Sequence, residues 1–345
     1  MTKLKLKEIV WEMTNKCDIN CSYCGSKHIL NVGEEEPDYK AIIDKIAEYP
    51  PDTLDVSGGD PLLVDYDIHR YLREKLKTVA CHIVVNPRSL QYKAERLNIV
   101  NMYHHVGISL NTEEEIRAFD GVKDKLSAPV TIITNFSLLN LYLVDEIYST
   151  IQSMRSKPIW QIQFNMSHDR SVTLYDKPKA IELLNSLLGK YKERCFLVIA
   201  DNANDGECYA GVNSLGILYN GLVVPCLSMR SWCDELAAEV QGNLFTEDLE
   251  TIWTTRFVNR RFHSSTCCRD FCGKAKIQPT APIVEGKLTT TAQEEWMVVQ
   301  IPPINKPLYP QVTVYAVFSD TPPAWQPWSG EITLSGESNG NSTTT

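Results

Sequence analysis

No apolar run in this 345-residue chain approaches the roughly 18–20 residues that a bilayer span requires, so no membrane helix is expected. The amino terminus, Met-Thr-Lys-Leu-Lys-Leu-Lys-Glu-Ile-Val, has lysines but neither an apolar stretch nor a small-residue cleavage site. It reads as a strand rather than a secretion signal, and a cytoplasmic setting is expected. Basic charge is also in deficit. With 34 Lys and Arg against 43 Asp and Glu, the net charge of −9 argues against general binding to a nucleic-acid backbone. It leaves room for a local basic pocket. No His-x3–5-His pair follows the first cysteines, which excludes the common zinc-finger pattern there.

Cysteine, by contrast, is plentiful: eleven residues, clustered rather than scattered, in a chain without a secretion signal. That combination points to metal ligation in a reducing compartment rather than to disulfides. Cys17, Cys21 and Cys24 form a C-x3-C-x2-C array within one tight loop. Three thiolates on a four-iron, four-sulfur cluster leave one iron without a protein ligand, and an open iron can bind a cofactor or substrate. The bland alternative is a trio of buried free cysteines, since cysteine packs well in cores.

This array, with Tyr23 before the third cysteine and Val56-Ser57-Gly58-Gly59-Asp60-Pro61-Leu62 after the next strand, resembles the radical S-adenosylmethionine (radical SAM) superfamily. The resemblance covers roughly residues 8–275. It implies that the open iron chelates the amino and carboxylate groups of SAM. It further implies that one electron cleaves SAM to a 5′-deoxyadenosyl radical, which abstracts hydrogen from a substrate. It places Tyr23 near the adenine and brings the Gly58–Pro61 backbone to the SAM amino group, with glycines permitting the approach. Asp60 stands where the family more often has Glu, keeping the charge but shortening the reach. A reducing partner such as flavodoxin or ferredoxin is implied as well.

Short strands alternate with helical segments through residues 1–200. Strands are predicted at Ile9–Met13, Thr53–Ser57, His82–Asn86, Val106–Asn111, Val130–Asn135 and Trp160–Asn165, with helices at Tyr39–Tyr49, Ile68–Lys77 and Leu143–Arg155. Such alternation predicts an α/β fold with a parallel sheet and crossover helices; six units fit the partial (β/α)6 barrel of the family. Ligands gather at the carboxyl ends of such strands, where Asn86, Ser109, Asn111, Asn135 and Asn165 stand. The resemblance assigns Ser109 and Asn111 to SAM, although Asn and Ser also end strands as mere turn-formers. Of the histidines on or near loops, His28, His104, His105 and His168, the last is best placed as a base for a radical intermediate.

A second cysteine constellation spans 201–276 and holds Cys208, Cys226, Cys233, Cys267, Cys268 and Cys272. The spacing from Cys208 through Gly221 to Cys226, then Gly242-Asn243-Leu244 and Leu249-Glu-Thr-Ile-Trp253, resembles the SPASM/twitch auxiliary-cluster domain. Six cysteines are too few for two extra clusters, so the short twitch form with one auxiliary cluster fits better. Cys208, Cys226, Cys268 and Cys272 are the expected ligands, with Cys267 a rival to Cys268 and zinc an alternative metal. Cys81 and Cys195 read as packing cysteines; either of them, or Cys233, has a hydrogen-atom donor role as its functional alternative. Residues 277–335 have alternating segments such as Gln311–Phe318 and read as a β-rich appendage; 336–345 is a Ser/Thr/Asn/Gly tail that reads as disordered.

Three functions compete at this level. The first is oxidative modification of a peptide or protein. Such enzymes often carry an N-terminal leader-binding domain, and a first strand near residue 8 weakens this expectation, although a separate leader binder or the C-terminal appendage would serve. The second is dehydrogenation of a small molecule such as an aminocyclitol alcohol. The third is a non-catalytic, metal-stapled binding protein.

Overall fold

The computed structural model describes residues 5–21, 23–26, 30–32, 36–137, 139–164, 196–199, 210–227 and 240–257. Its centre is a run of seven strands: β1 (Glu8–Thr14), β2 (Thr53–Gly58), β3 (Ala80–Val85), β4 (His105–Ser109), β5 (Val130–Phe136), β6 (Ile159–Phe164) and β7 (Phe196–Ile199). Each pairs in parallel with the next. Helices α1 (Tyr39–Glu48), α2 (Tyr66–Lys75), α3 (Pro87–Leu90), α4 (Ala94–Asn101), α5 (Glu113–Asp120) and α6 (Val144–Gln152) lie between them in sequence. The expected alternation is present, with α3, α4, α5 and β7 added to it.

Alternation along each strand decides which face is core. Ile9, Trp11 and Met13 of β1, Leu54 and Val56 of β2, Cys81 and Ile83 of β3, and Val106 and Ile108 of β4 are fully buried. They share one core with Ile42, Ile43 and Ile46 of α1, Leu72 of α2 and Phe119 of α5. Side chains at the intervening positions, such as Asp55, His82, His105 and Ser109, face the other way and are only half-buried. Cys81 is thus a packing cysteine, as expected, and burial pushes its thiol pKa up.

The sheet does not stop at β1. Strand β8 (Ser214–Ile217) pairs in parallel with β1, β9 (Leu222–Val224) pairs antiparallel with β8, and β10 (Gly242–Asn243) antiparallel with β9. Among the described residues the order is β10-β9-β8-β1-β2-β3-β4-β5-β6-β7, with β10 and β7 at its ends. The hairpin expected around Gly221 is β8–β9. Gly221 has φ +77° and donates its N–H to Leu218 O at 2.9 Å, a left-handed turn position suited to glycine. Residues on either side of 200 are therefore joined through one sheet. The appendage, the tail, His28, His168, Cys195, Cys208, Cys233, Cys267, Cys268 and Cys272 lie outside the described residues.

Candidate active site at the carboxyl ends of the strands

The loop after β1 carries Cys17, Cys21 and Cys24, none in a disulfide and all half-buried. Asn31 clamps it from within: its Oδ1 accepts the Cys17 N–H and its Nδ2 donates to the Cys17 carbonyl, both at 3.0 Å. Beside it, the turn after β2 is held against the chain leaving β1. The Gly59 N–H donates to Thr14 O at 2.6 Å and the Asp60 N–H to Lys16 O at 2.7 Å. Both glycines are required by this contact. A Cβ on Gly58, whose φ is +145°, would meet Thr14 O at 2.5 Å, and one on Gly59 would meet Lys16 O at 2.3 Å. The glycines let two backbone segments meet, whether or not a ligand does.

Asp60 sits apart from any open surface. Its carboxylate is buried, accepts the Leu62 N–H at 3.1 Å and the Ser89 hydroxyl, and faces Arg96 Nη1 at 3.6 Å. It caps the turn Pro61–Leu63 and fastens it to α3 and α4. Burial raises its pKa, while Ser89, the Leu62 amide and Arg96 oppose the rise. Behind the same turn, His69 is fully buried, with Nδ1 2.7 Å from Tyr103 Oη and Nε2 3.0 Å from Pro61 O. Burial lowers its pKa to about 4, so it is neutral.

The side chain that gathers the site was not among those singled out from the sequence. Glu115, in the first turn of α5, is 1% exposed. It accepts the Tyr23 hydroxyl, Asn86 Nδ2 at 2.6 Å and the Asn111 N–H at 2.6 Å. The cysteine loop, β3 and β4 thus meet on one carboxylate. Burial raises the Glu115 pKa, and Tyr23, the Asn111 N–H, Asn86 and the Asn111 side chain counter it. The sequence did hold a signal: Thr112-x-x-Glu115 is a capping-box pattern, and Thr112 Oγ1 does accept the Glu115 N–H at 3.3 Å. The carboxylate reaches the Asn111 amide and the loop instead.

Asn111 closes the floor. Its Oδ1 accepts the Asn135 N–H at 2.6 Å, tying the end of β4 to that of β5, and its carbonyl accepts Asn140 Nδ2 at 3.2 Å. Its Nδ2 is buried, makes no hydrogen bond of good geometry, and lies close enough to the Glu115 carboxylate to help hold it ionised. Ser109 is the last residue of β4, half-buried, in register with Ile133.

The donor set suits a cluster. Among the described residues no three His, Cys, Asp or Glu side chains converge closely enough for a single metal ion. A four-iron cluster takes one thiolate per iron and so needs thiols more widely spread than one ion does. Cys17, Cys21 and Cys24 supply such a set. Burial first, with help from Glu115, Cys17 and Cys24, holds the Cys21 thiol pKa up at about 11. The bare thiol keeps its proton at neutral pH, and ligation displaces it.

The other histidines are placed elsewhere. His105 begins β4 and lies 2.6 Å through Nε2 from Thr131 Oγ1, while His104 accepts the Cys81 N–H at 3.0 Å. Both are at the amino ends of their strands, opposite the cysteine loop, and neither is a base for chemistry there. Cys226 follows β9, which runs against β8. Val224 is level with Gly216 and Val10, so Cys226 lies toward the amino end of β1, whereas Cys17 lies beyond its carboxyl end.

Residues 208–274 match the SPASM family, described as an iron–sulfur cluster-binding domain. This range encloses all six cysteines of the second constellation. SuiB from Streptococcus suis, solved with S-adenosylmethionine, is 17% identical over 79% of this chain and 71% of its own, with a TM-score of 0.58. SuiB bound to precursor peptide SuiA gives 16%, 78%, 70% and 0.56. The enzyme anSMEcpe with bound AdoMet and the Cp18Cys peptide is 14% identical over 74% of this chain and 82% of its own, with a TM-score of 0.56. The chain shares the fold of these structures, and its residues 208–274 match the SPASM family. A curated relative, protein translocase subunit SecD of Rickettsia typhi, is 25% identical over 175 residues. That match takes in 46% of this chain, which spans about a third of the curated relative, 33%. Among the described residues no helix is long and apolar enough to cross a membrane.

Proposed function

We propose that this protein is a radical SAM enzyme that abstracts hydrogen from a peptide or protein substrate for oxidative modification. The observation that carries the reading is the convergence of the three-cysteine loop, Asn86 and the Asn111 amide on the buried Glu115 carboxylate at the carboxyl ends of the parallel strands. Cys17, Cys21 and Cys24 hold a [4Fe–4S] cluster; when bound, it supplies the electron that cleaves SAM reductively. Around it, the chain's own residues orient the cofactor. The Gly59 and Asp60 amides are engaged by Thr14 and Lys16, and the Asp60 and Pro61 carbonyls accept the Leu63 and Val64 N–H, so the turn would meet the SAM ammonium through the Gly59 carbonyl oxygen. Asn111 Nδ2 donates to a carboxylate or ribose oxygen, with Ser109 beside it. Cys208, Cys226, Cys268 and Cys272, with Cys267 a rival to Cys268, would hold an auxiliary [4Fe–4S] cluster, which would supply an electron acceptor, and His168 would be the base.

A peptide substrate is favoured by the rim. Exposed large apolar residues follow the carboxyl ends of three strands: Val32 after β1, Tyr92 after β3, and Leu139 and Tyr142 after β5. Exposed apolar side chains following these strands could anchor the alternating side chains of an extended peptide. Peptide-bound SuiB and anSMEcpe share the fold.

The test is anaerobic reconstitution with iron and sulfide counting, and dithionite-driven formation of 5′-deoxyadenosine from SAM. Wild type should hold about eight irons, and a Cys17/Cys21/Cys24→Ala variant about four with no deoxyadenosine. Absence of both iron and cleavage in wild type would leave a metal-stapled binding protein. Zinc at the second site with cleavage retained would remove the electron-acceptor role alone.

A further inference from the structure

Cys21 differs from a plain cluster ligand in what surrounds its sulfur. Asn86 ends β3, and its Oδ1 caps α3 by accepting the Arg88 N–H at 3.0 Å. That cap fixes the amide plane and leaves Nδ2 as a donor, 3.4 Å from Cys21 Sγ, 2.6 Å from Glu115 Oε1 and 3.3 Å from Tyr23 Oη. Glu115 Oε1 lies 4.0 Å from the same sulfur. The carboxylate has little freedom to withdraw, because its other oxygen holds the Asn111 N–H at 2.6 Å. All of these protein partners of Glu115 are donors, the environment of an ionised carboxylate, which only accepts.

Two opposed influences therefore meet at one sulfur. A hydrogen bond into a ligating thiolate draws electron density from it and favours the reduced cluster. A carboxylate at close range in a buried site adds negative charge and disfavours an incoming electron. We propose that Asn86 and Glu115 set the reduction potential of the cluster held by Cys17, Cys21 and Cys24, acting through Cys21 with opposite signs. Asn86 raises the potential and Glu115 lowers it. Both are positioning residues that act through the ligand. The inference rests on the reading of the cysteine loop as a cluster site.

The experiment uses the full-length, anaerobically reconstituted protein. Potentiometry followed by electron paramagnetic resonance gives the midpoint potential of the signal that disappears in a Cys17→Ala variant. Asn86→Ser keeps an N-cap oxygen for α3 but is too short to reach the sulfur; its midpoint should fall. Glu115→Gln keeps the shape and the acceptor for the Asn111 amide but loses the charge; its midpoint should rise. The double variant should return toward wild type. A simple loosening of the loop would move both single variants the same way. Shifts of the same sign, or no shift with the signal intact, overturn the proposal. If Asn86→Ser takes up no iron, Asn86→Asp, which retains the cap acceptor, replaces it and should give a midpoint below wild type. A wild-type protein without iron and without the signal overturns the cluster reading, and this inference with it; an intact signal with unmoved midpoints overturns the inference alone.

Discussion

The two ends of the same parallel strands are both lined with polar and titratable side chains, yet they are built differently. At the amino end, Asp55 Oδ1 lies 2.8 Å from His82 Nδ1, the His82 and His105 rings are 5.6 Å apart, and His105 Nε2 lies 2.6 Å from Thr131 Oγ1. Each side chain in that row has a protein partner. At the carboxyl end, Glu115 gathers three elements around a loop that carries three cysteines, none in a disulfide. Polarity alone does not mark a site. What marks it is three thiols on one loop, tied to the strand ends by one buried carboxylate.

The largest effect that would sharpen this contrast is steric. Gly59→Ala forces a Cβ to 2.3 Å from Lys16 O, a backbone atom that cannot rotate away. Overpacking of this kind costs about 1–3 kcal/mol, and here the upper end is expected. Denaturant unfolding should show the loss, and iron incorporation should fall with it. A variant as stable and as iron-rich as wild type would show that the close approach of β2 to the cysteine loop is dispensable.

Next comes His69, which supports the Pro61 turn from beneath. Its pKa is about 4 when folded against about 6.5 ordinarily. Between these values the unfolded chain binds a proton that the folded chain refuses. Stability is therefore fully present above pH 6.5, falls as pH drops toward 4, and levels off below. Integrated over the window, the loss is about 3 kcal/mol. Urea unfolding at several pH values should show that slope in wild type and lose this component in His69→Gln. Equal slopes in the two proteins would contradict the assignment.

These residues show how much was legible in advance. The parallel strands were, because β-branched and apolar residues alternate between turn signals at Ile9–Met13, Thr53–Ser57 and Val130–Asn135. The cysteine loop was, because its spacing is local. The continuity of β8 with β1 was not: four residues, Ser214–Ile217, carry too little periodicity to announce a partner more than two hundred positions away. Glu115 was not, because its capping-box pattern explains it locally, while its partner Tyr23 is 92 residues distant. Asp60 was legible as a charge beside the glycines, but its engagement by Ser89 and Arg96 is purely tertiary.

A smaller effect is expected at Asn111. Asn111→Ala removes the buried side-chain amide just after β4 and should weaken SAM binding about tenfold, the equivalent of one hydrogen bond. Anaerobic equilibrium dialysis with labelled SAM measures it. The truncation also strands the Asn135 N–H, so some stability is lost as well. The two effects separate because binding is read well below the melting temperature. Unchanged affinity would make Asn111 a turn-former and no more.

The smallest effect is the sharpest check on the comparison. His82→Gln alters the amino-end row, where Asp55 and His82 answer one another, and Gln offers an N–H donor in place of the ring nitrogen. The row stands at the opposite end of the strands from Cys17, Cys21 and Cys24, and its hydrogen bonds are satisfied without a ligand. Deoxyadenosine formation should therefore stay within about twofold of wild type, since one exposed-side polar exchange moves free energy by about 0.5 kcal/mol or less. A tenfold loss with the iron content intact would mean that the amino end takes part in the reaction, and that matched polar rows are a poorer guide to silence than this fold implies.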